Sequence, residues 1–440
     1  MSSHKKGSSQ QQSNKPSDRT SSGTGDASGN PDRPPIDRSR ILGAEEPQRS
    51  LSERVMALLD HQRKHWPMLV EGYESLKTVE TRSFEFDGFV MTVQCNPGRI
   101  VSSSAKVDDR SIRERRCFLC MDNLPSEQRG VDYGDYILLC NPFPIFRDHL
   151  TIAHMRHIPQ RIRGAFGPML DLARGLGERF TLFYNGPRCG ASAPDHLHFQ
   201  AGERGFMPMD IDWERMVDRQ GEWVIDDSRL RAARVDDGLR RYVILESGDK
   251  AALEDRFERL YRSFAEVTAS MGGSRDTGAT GSRDTGTAGS RDTGTAGSRE
   301  TKATGNVGTE AAGSKATGAD GTKDIGAAGS SETGSSVENE GHGITRGNRG
   351  DEEPMLNILV SREPDRWRVI VFLRRKHRPD RYFLEGEEKM VFSPAAVDFG
   401  GVCILPVRRD FERITAGDLR SMFREVSAGP QVLDEVVRRM

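Results

Sequence analysis

Polar and apolar residues alternate strictly over His196-Leu197-His198-Phe199-Gln200. That period of two predicts a strand with 196, 198 and 200 on one face and Leu197 and Phe199 turned into a core. Shorter alternations over Ser83–Gln94 and Asp135–Leu139 predict further strands, and Gln160–Arg179 predicts an amphipathic helix between Ile152 and a Phe180–Tyr184 strand. Upstream, Leu51, Val55, Leu58, Leu59, Trp66 and Leu69 recur at helical spacing over residues 48–78, with an interruption near Pro67. Leu253, Phe257, Leu260, Tyr261, Phe264 and Val267 form one apolar side of a helix over Asp249–Ser270 that stops at Gly272-Gly273. Later in the chain, Met355–Ser361, Arg366–Leu373 and Val402–Leu405 predict strands and Thr415–Val426 a helix. The order of elements is that of an α+β protein with a second, smaller half.

The apolar pattern fails in two places. Residues 1–46 contain no aromatic residue, and residues 272–353 carry an eight-residue repeat, Gly273–Thr280, Gly281–Ala288 and Gly289–Ala296, decaying from Gly297. A period so short with nothing apolar to bury cannot stack as a solenoid, so both stretches are expected to be disordered. The expected division is a tail 1–46, a catalytic half 47–271, a low-complexity insert 272–353 and a C-terminal half 354–440. Lys+Arg 64 against Asp+Glu 66 leaves a formal charge of -2 on 440 residues, so no global field favours nucleic acid or an anionic membrane. The N-terminus shows no apolar signal region, and no apolar run is long enough to span a bilayer. Six cysteines without disulfide-like spacing suit a reducing compartment, and the expectation is a cytoplasmic protein.

Two imidazoles and an amide on one strand face form a reactive surface. A neutral imidazole can attack phosphorus without prior deprotonation, and the covalent intermediate divides one hard displacement into two easier ones. The lead-in Tyr184-Asn185-Gly186-Pro187-Arg188-Cys189-Gly190-Ala191-Ser192-Ala193-Pro194-Asp195 offers backbone N–H groups for phosphate oxygens. Cys117-Phe118-Leu119-Cys120 is a second signal, a spacing shared by zinc pairs and redox pairs. The run Arg374-Arg375-Lys376-His377-Arg378 is mostly a solvated strand edge, too short for nucleic-acid binding, with Lys376 and His377 the candidates to reach a phosphate.

The motif resembles the histidine-triad superfamily in the branch where glutamine replaces the third histidine, which holds galactose-1-phosphate uridylyltransferases, diadenosine tetraphosphate phosphorylases and GDP-hexose phosphorylases. Asn141-Pro142-Phe143-Pro144-Ile145, His149-Leu150-Thr151-Ile152 and His157-Ile158-Pro159-Gln160 resemble the same branch, as do Ser393–Val397, Gly400–Leu405 and Asp410-Phe411-Glu412. Cys117–Cys120 and Ala191–His196 resemble most of all the bacterial DUF4922 proteins.

The resemblance implies an antiparallel sheet with helices, built as two histidine-triad-like halves of which the second is degenerate, having no H-x-H. It implies a nucleotidyltransferase with His198 as nucleophile and Gln200 as a hydrogen-bond donor to a phosphoryl oxygen. Because an amide cannot deliver a proton, transfer is expected over hydrolysis. Asn185, Gly190 and Ser192 become phosphate-contact candidates, although Asn185-Gly186 also suits an ordinary turn. Asp195 departs from the proline of the uridylyltransferases and argues against that activity. By analogy with bacterial uridylyltransferases, Cys117, Cys120, His157 and His196 would hold a structural zinc, with His149 and His154 competing for the third place and Cys95, Cys140, Cys189 and Cys403 left to packing. The expected substrate is a nucleoside diphosphate sugar, a GDP-hexose first, with inorganic phosphate or a sugar phosphate as acceptor. The alternatives are a dinucleoside polyphosphate phosphorylase and an inactive nucleotide-binding sensor.

Overall fold

The computed structural model describes residues 37–43, 48–100, 108–272 and 352–440, which lie within one compact unit, Ile36–Met440. The disorder expected of 1–46 and 272–353 falls mostly outside those residues. Two ends of these stretches are described and belong to the fold. Arg38–Arg40 forms a 3-10 turn and Ile41 bridges Gly130, while Glu353 is buried at 4% exposure.

Thirteen strands are described in chain order. β1 (Glu80–Phe86) and β2 (Phe89–Cys95) form a hairpin. β3 (Gly130–Tyr133), β4 (Tyr136–Cys140), β5 (Leu150–His154), β6 (Phe180–Asn185) and β7 (His198–Glu203) follow. β8 (Gly221–Asp226), β9 (Arg231–Asp236), β10 (Arg241–Ser247), β11 (Leu356–Arg362), β12 (Trp367–Leu373) and β13 (Val402–Leu405) complete the set. One sheet of ten strands runs β3-β4-β5-β7-β6-β11-β12-β10-β9-β8, and a smaller sheet runs β1-β2-β13.

Two units of one plan make up the large sheet. Each is three consecutive strands, a helix (Phe166–Leu176 or Lys250–Gly272) and two strands in exchanged order, and the two units meet where β6 pairs antiparallel with β11. The division at residues 271 and 354 does not coincide with this boundary. Three strands of the second unit, β8 to β10, precede the repeat, which interrupts the second unit between its helix and β11.

The helix pattern near the N-terminus divides at Pro67 into Leu51–His65 and Pro67–Leu76, with proline in the first turn, where its missing N–H is not needed. Ser50 and Glu53 cap the first of these reciprocally. The helix expected from Gln160 begins only at Phe166, because the Gln160 side chain and the Ile162 N–H bond instead to strand carbonyls and to Glu353. One sheet face is covered by Leu51–His65, Phe166–Leu176, Lys250–Gly272 and Pro430–Arg439, whose apolar stripes meet Tyr184, Phe199, Val360 and Val369 in one core cluster. The other face carries the small sheet and the helices Met209–Gln220 and Ala416–Val426 around Phe183, Ile370 and Phe372. Among the described residues, no helix is long and apolar enough to cross a membrane.

Candidate active site and metal centre

His198 opens β7 in the middle of the large sheet, between β5 and β6. Gln160 fixes it. The Gln160 Oε1 accepts from the His198 backbone N–H at 2.7 Å, while its Nε2 donates to the carbonyls of Asn185 at 2.9 Å and His198 at 3.0 Å. The glutamine thus closes the gap between β6 and β7 where their ladder ends. The His198 imidazole lies 2.8 Å from the His196 carbonyl through Nδ1, which must therefore carry the proton, and Nε2 is left as a bare lone pair. Burial pushes the His198 pKa down to about 4, so the ring is neutral at pH 7.

Gln200, two residues along the same face, has its Oε1 3.0 Å from Nε2 of His149. The other ring nitrogen of His149 accepts from the Ile145 N–H, which makes Nε2 the donor. Burial holds His149 neutral, with its pKa down to about 3. The amide oxygen of Gln200 is therefore occupied, and its NH2 group remains for a ligand. His149 is an orienting residue for Gln200 and not a metal ligand.

The His198 and Gln200 side chains line a cavity of about 670 Å³ that also takes in Asn185, Gly190, Ser192 and His377. The Asn185 Oδ1 accepts from Asn357 Nδ2 at 2.9 Å and from the Ala396 N–H at 2.8 Å, which ties the first unit to the second. Gly190 has φ +109°, and a Cβ there would lie 2.6 Å from that of Ala395, so only glycine lets this loop lie against the second unit. Lys376 is a correction: its ammonium pairs with Asp380 and Glu425, and it does not line the cavity. Within that basic run Arg374 is buried on the carbonyls of Pro394, Lys376 and His377, and Arg378 lines the cavity beside His377.

Arg99, Arg115, Arg378 and Asp398 on the lining were not singled out in the sequence. Asp398 is buried, accepts from the N–H groups of Ala395 and Ile404, and is pushed up to about 7 by burial. Each lies far in sequence from the His196–Gln200 motif, although Arg115 stands two residues before Cys117, Arg378 ends the basic run and Asp398 follows Ser393–Val397.

His196 does not share the open face. It precedes β7 and does not line the cavity, and its Nδ1 lies 3.3 Å from Cys117 Sγ and 3.6 Å from Cys120 Sγ. His157 Nδ1 lies 3.3 Å from Cys120 Sγ, and all four ligand atoms fall within 4.8 Å of one another. Tetrahedral zinc with ordinary Zn–S and Zn–N lengths gives S···N edges of roughly 3.5 Å, so the donors fit such an ion. The second ring nitrogens also have partners. His196 Nε2 lies 2.6 Å from the His154 carbonyl, and His157 Nε2 faces the Asp195 carboxylate at 3.7 Å. Burial and then Cys117 push the Cys120 thiol up to about 11, an opposition that a dication would reverse. His154 bonds through Nδ1 to the Arg156 backbone and is not in the group. Cys95, Cys140, Cys189 and Cys403 are buried elsewhere.

Residues 58–203 match the family described as "Domain of unknown function (DUF4922)", in agreement with the resemblance seen at Cys117–Cys120 and Ala191–His196. A comparison with curated proteins finds no match. Among solved structures, the chain is similar to yeast Ap4A phosphorylase Apa2 at 13% identity and a TM-score of 0.45, over 87% of this chain and 97% of that one. The Ap4A complex of that protein gives 12% identity, the same TM-score, and 86% and 96% coverage. A DUF4931 family protein from Bacillus cereus gives 12% identity and a TM-score of 0.26, over 57% of this chain and 88% of that one.

Proposed function

We propose that this protein is a nucleotidyltransferase of the phosphorylase type. The observation that carries the reading is the bare Nε2 of a buried, neutral His198 beside the free NH2 of Gln200, inside a cavity with arginines on its wall. In the first step His198 Nε2 attacks the α-phosphorus of a nucleoside diphosphate derivative. A P–N bond forms, and the P–O bond to the remainder of the substrate breaks. In the second step an acceptor oxygen attacks the same phosphorus and the P–N bond breaks. Inorganic phosphate or a sugar phosphate suits this role, because each arrives already charged and needs little activation. The Gln200 amide and the loop Gly190–Ser192 would hold the non-bridging oxygens as charge develops on them. Since Gln200 cannot supply a proton, activation of water is not favoured.

A nucleoside diphosphate sugar, a GDP-hexose first, is the preferred substrate on the strength of the H-L-H-F-Q motif. A dinucleoside polyphosphate is the second reading, favoured by the three arginines, Arg99, Arg115 and Arg378, in the cavity lining, more than a diphosphate requires. Retention of both His198 and Gln200 counts against an inactive sensor. Zinc is the metal that suits Cys117, Cys120, His157 and His196. With four protein donors and no open position, its contribution when bound would be to fix the approach to β7, and metal analysis of the purified chain is expected to find one equivalent. The cytoplasm is the proposed location, in line with six free cysteines.

Incubation with α-phosphate-labelled GDP-hexose, UDP-hexose and Ap4A tests the reading. Wild type should acquire an acid-labile, base-stable label, which inorganic phosphate should discharge as a nucleoside diphosphate. His198→Ala should remain unlabelled. Label retained in His198→Ala would remove the nucleophile assignment, and no label from any donor would favour the sensor.

A further inference from the structure

Arg115 stands where the metal centre and the cavity meet. Its Nη2 donates to Asp195 Oδ1 at 2.5 Å, its guanidinium carbon lies 5.3 Å from the centre of the Phe118 ring, and both residues line the cavity. Among the described residues, its Nη1 is buried with no hydrogen-bond partner. A buried guanidinium nitrogen left unpaired is costly, and such a group in a cavity wall indicates a ligand that completes it. An anionic oxygen is the natural complement, because arginine is a donor in both arms. The other arm is already fixed: Asp195 holds it through one carboxylate oxygen and presents the other to His157 Nε2 at 3.7 Å. Asp195 is also the residue next to His196. One carboxylate therefore touches a cavity-wall arginine on one side and a member of the Cys117–Cys120–His157–His196 group on the other.

We propose that Arg115 is a phosphate-binding residue of the cavity, and that Asp195 positions it so that anion affinity depends on whether the metal centre is filled. The proposal rests on the reading of the cavity as a nucleotide site. The physical content is a chain of two contacts. With a cation held by His157 Nδ1, the Nε2–H of that ring is a stronger donor and keeps the Asp195 carboxylate in place. A placed Asp195 holds the Arg115 fork in one orientation, and less rotamer freedom is then lost when phosphate binds. Without that hold, Arg115 is a long side chain free to turn over Phe118.

The test uses the full chain and measures the Kd of GDP, ADP and inorganic pyrophosphate by titration calorimetry, on zinc-loaded and chelator-treated protein. Arg115→Gln should weaken the tightest of the three by about tenfold or more, the scale of a charge-assisted hydrogen bond. Arg115→Lys should lose less, since it keeps the charge. Asp195→Asn should weaken binding by about threefold or more at an unchanged melting temperature. Chelation should weaken binding by wild type, and should have little further effect on Arg115→Gln or Asp195→Asn. Wild-type Kd in Arg115→Gln would overturn the arginine assignment. If Arg115→Gln proves unstable, wild-type affinity for all three probes in Asp195→Asn would overturn the positioning claim. An equal effect of chelation on wild type and Asp195→Asn would overturn the coupling, and so would no binding of any probe to wild type. Failure of the catalytic reading looks different: probe binding that depends on Arg115 with no label on His198 would leave this proposal standing, while labelling with Arg115-independent binding would do the reverse.

Discussion

The two five-stranded units of the large sheet share one strand order and put opposite chemistry at matching positions. With the middle of the β6–β11 ladder, the Phe183–Leu359 pair, as the centre of a pseudo-two-fold, Phe183 lies opposite Gln200 and Leu359 opposite Ile370. Two residues earlier on each strand, His198 corresponds to Arg368. The first unit thus presents a neutral imidazole with a free lone pair to a cavity. The second presents a cation that is already saturated. Arg368 pairs with Glu246 at 3.1 Å and Glu363 at 2.9 Å, and lies 3.7 Å above the Trp213 ring. Arg231 also reaches Glu246, and Arg204 pairs with Glu363. The lesson is that a scaffold does not make a site. A reactive position needs a group whose bonding capacity is incomplete, and Arg368, at the matching position of the second unit, has its capacity filled by Glu246 and Glu363.

The sharpest way to break this comparison is a pair of substitutions with opposite signatures. His198→Ala should reduce turnover by about three orders of magnitude or more, as expected for loss of a covalent nucleophile, and leave the denaturation midpoint nearly unchanged. Arg368→Ala should cost about 3–5 kcal/mol of stability, because Glu246, 2% exposed, is left buried with Arg231 as its remaining ion-pair partner among the described residues. Labelling of His198 per folded molecule should survive that change. Changing Arg368→Met together with Glu246→Gln should recover much of the loss. If Arg368→Ala instead abolished labelling in folded protein, the second unit would be catalytic.

Acid stability sharpens the comparison at a smaller scale. Burial depresses His198 to about 4, and His149 and His377 to about 3, so the folded chain refuses protons that the unfolded chain takes up below the ordinary imidazole pKa. Each such group lowers stability as pH falls from about 6.5 toward 4, by up to about 1.4 kcal/mol per pH unit. Asp398 and Glu353 are raised to about 7 by burial, so they hold protons in the folded state across the same window and raise stability as pH falls. Of these groups His149 and His198 lie before the repeat, and His377, Asp398 and Glu353 after it. Wild type should therefore show a shallow dependence between pH 6.5 and 4.5, measured by denaturant midpoints. Asp398→Asn and Glu353→Gln should each steepen the acid loss by about 1 kcal/mol per unit. Labelling of His198 should persist to about pH 5, well below the point where an exposed histidine would be protonated.

Local chemistry was legible in the sequence and long-range chemistry was not. Alternation predicted the strand that β7 occupies, with His198 and Gln200 on one face but His196 wrongly beside them, and the resemblance grouped His157 with Cys117, Cys120 and His196, because those signals are carried by short spacings. Lys376 is held by Asp380, four residues on, and by Glu425, 49 residues away, and only the second partner depends on the fold. Strands β8 to β10 went unread, since Arg231–Asp236 and Gly221–Asp226 mix charge and apolar residues in a pattern whose buried face appears only once β12 is alongside β10. The clamping role of Gln160 depends on the gap between β6 and β7, which no spacing encodes. The same holds for Arg115, whose meaning comes from a partner 80 residues further on.

The smallest effect is expected where the two units differ most in length. In the first, the helix Phe166–Leu176 joins β6 through the three residues Gly177–Arg179. In the second, the corresponding helix Lys250–Gly272 joins β11 through the repeat-bearing stretch. The second helix has 23 residues against 11. At about 1.5 Å per residue its far end overshoots by roughly 18 Å. An extended chain recovers that distance in about six residues at roughly 3.3 Å each. A Gly/Ser linker of about ten residues in place of 273–351 should thus close the unit, and closure entropy changes only logarithmically with length. Residues 352–355 must be kept, because the Glu353 carboxylate accepts from the Tyr184 hydroxyl and the Ile162 N–H, both at 2.7 Å, directly beneath the Gln160 clamp. The shortened chain should keep the wild-type melting temperature within about 2 °C and label His198 at the wild-type rate, whereas the same deletion carrying Glu353→Ala should lose several degrees. Loss of labelling in a shortened chain of unchanged stability would show that the repeat acts in the reaction, and that the second unit differs from the first by more than a filled charge network.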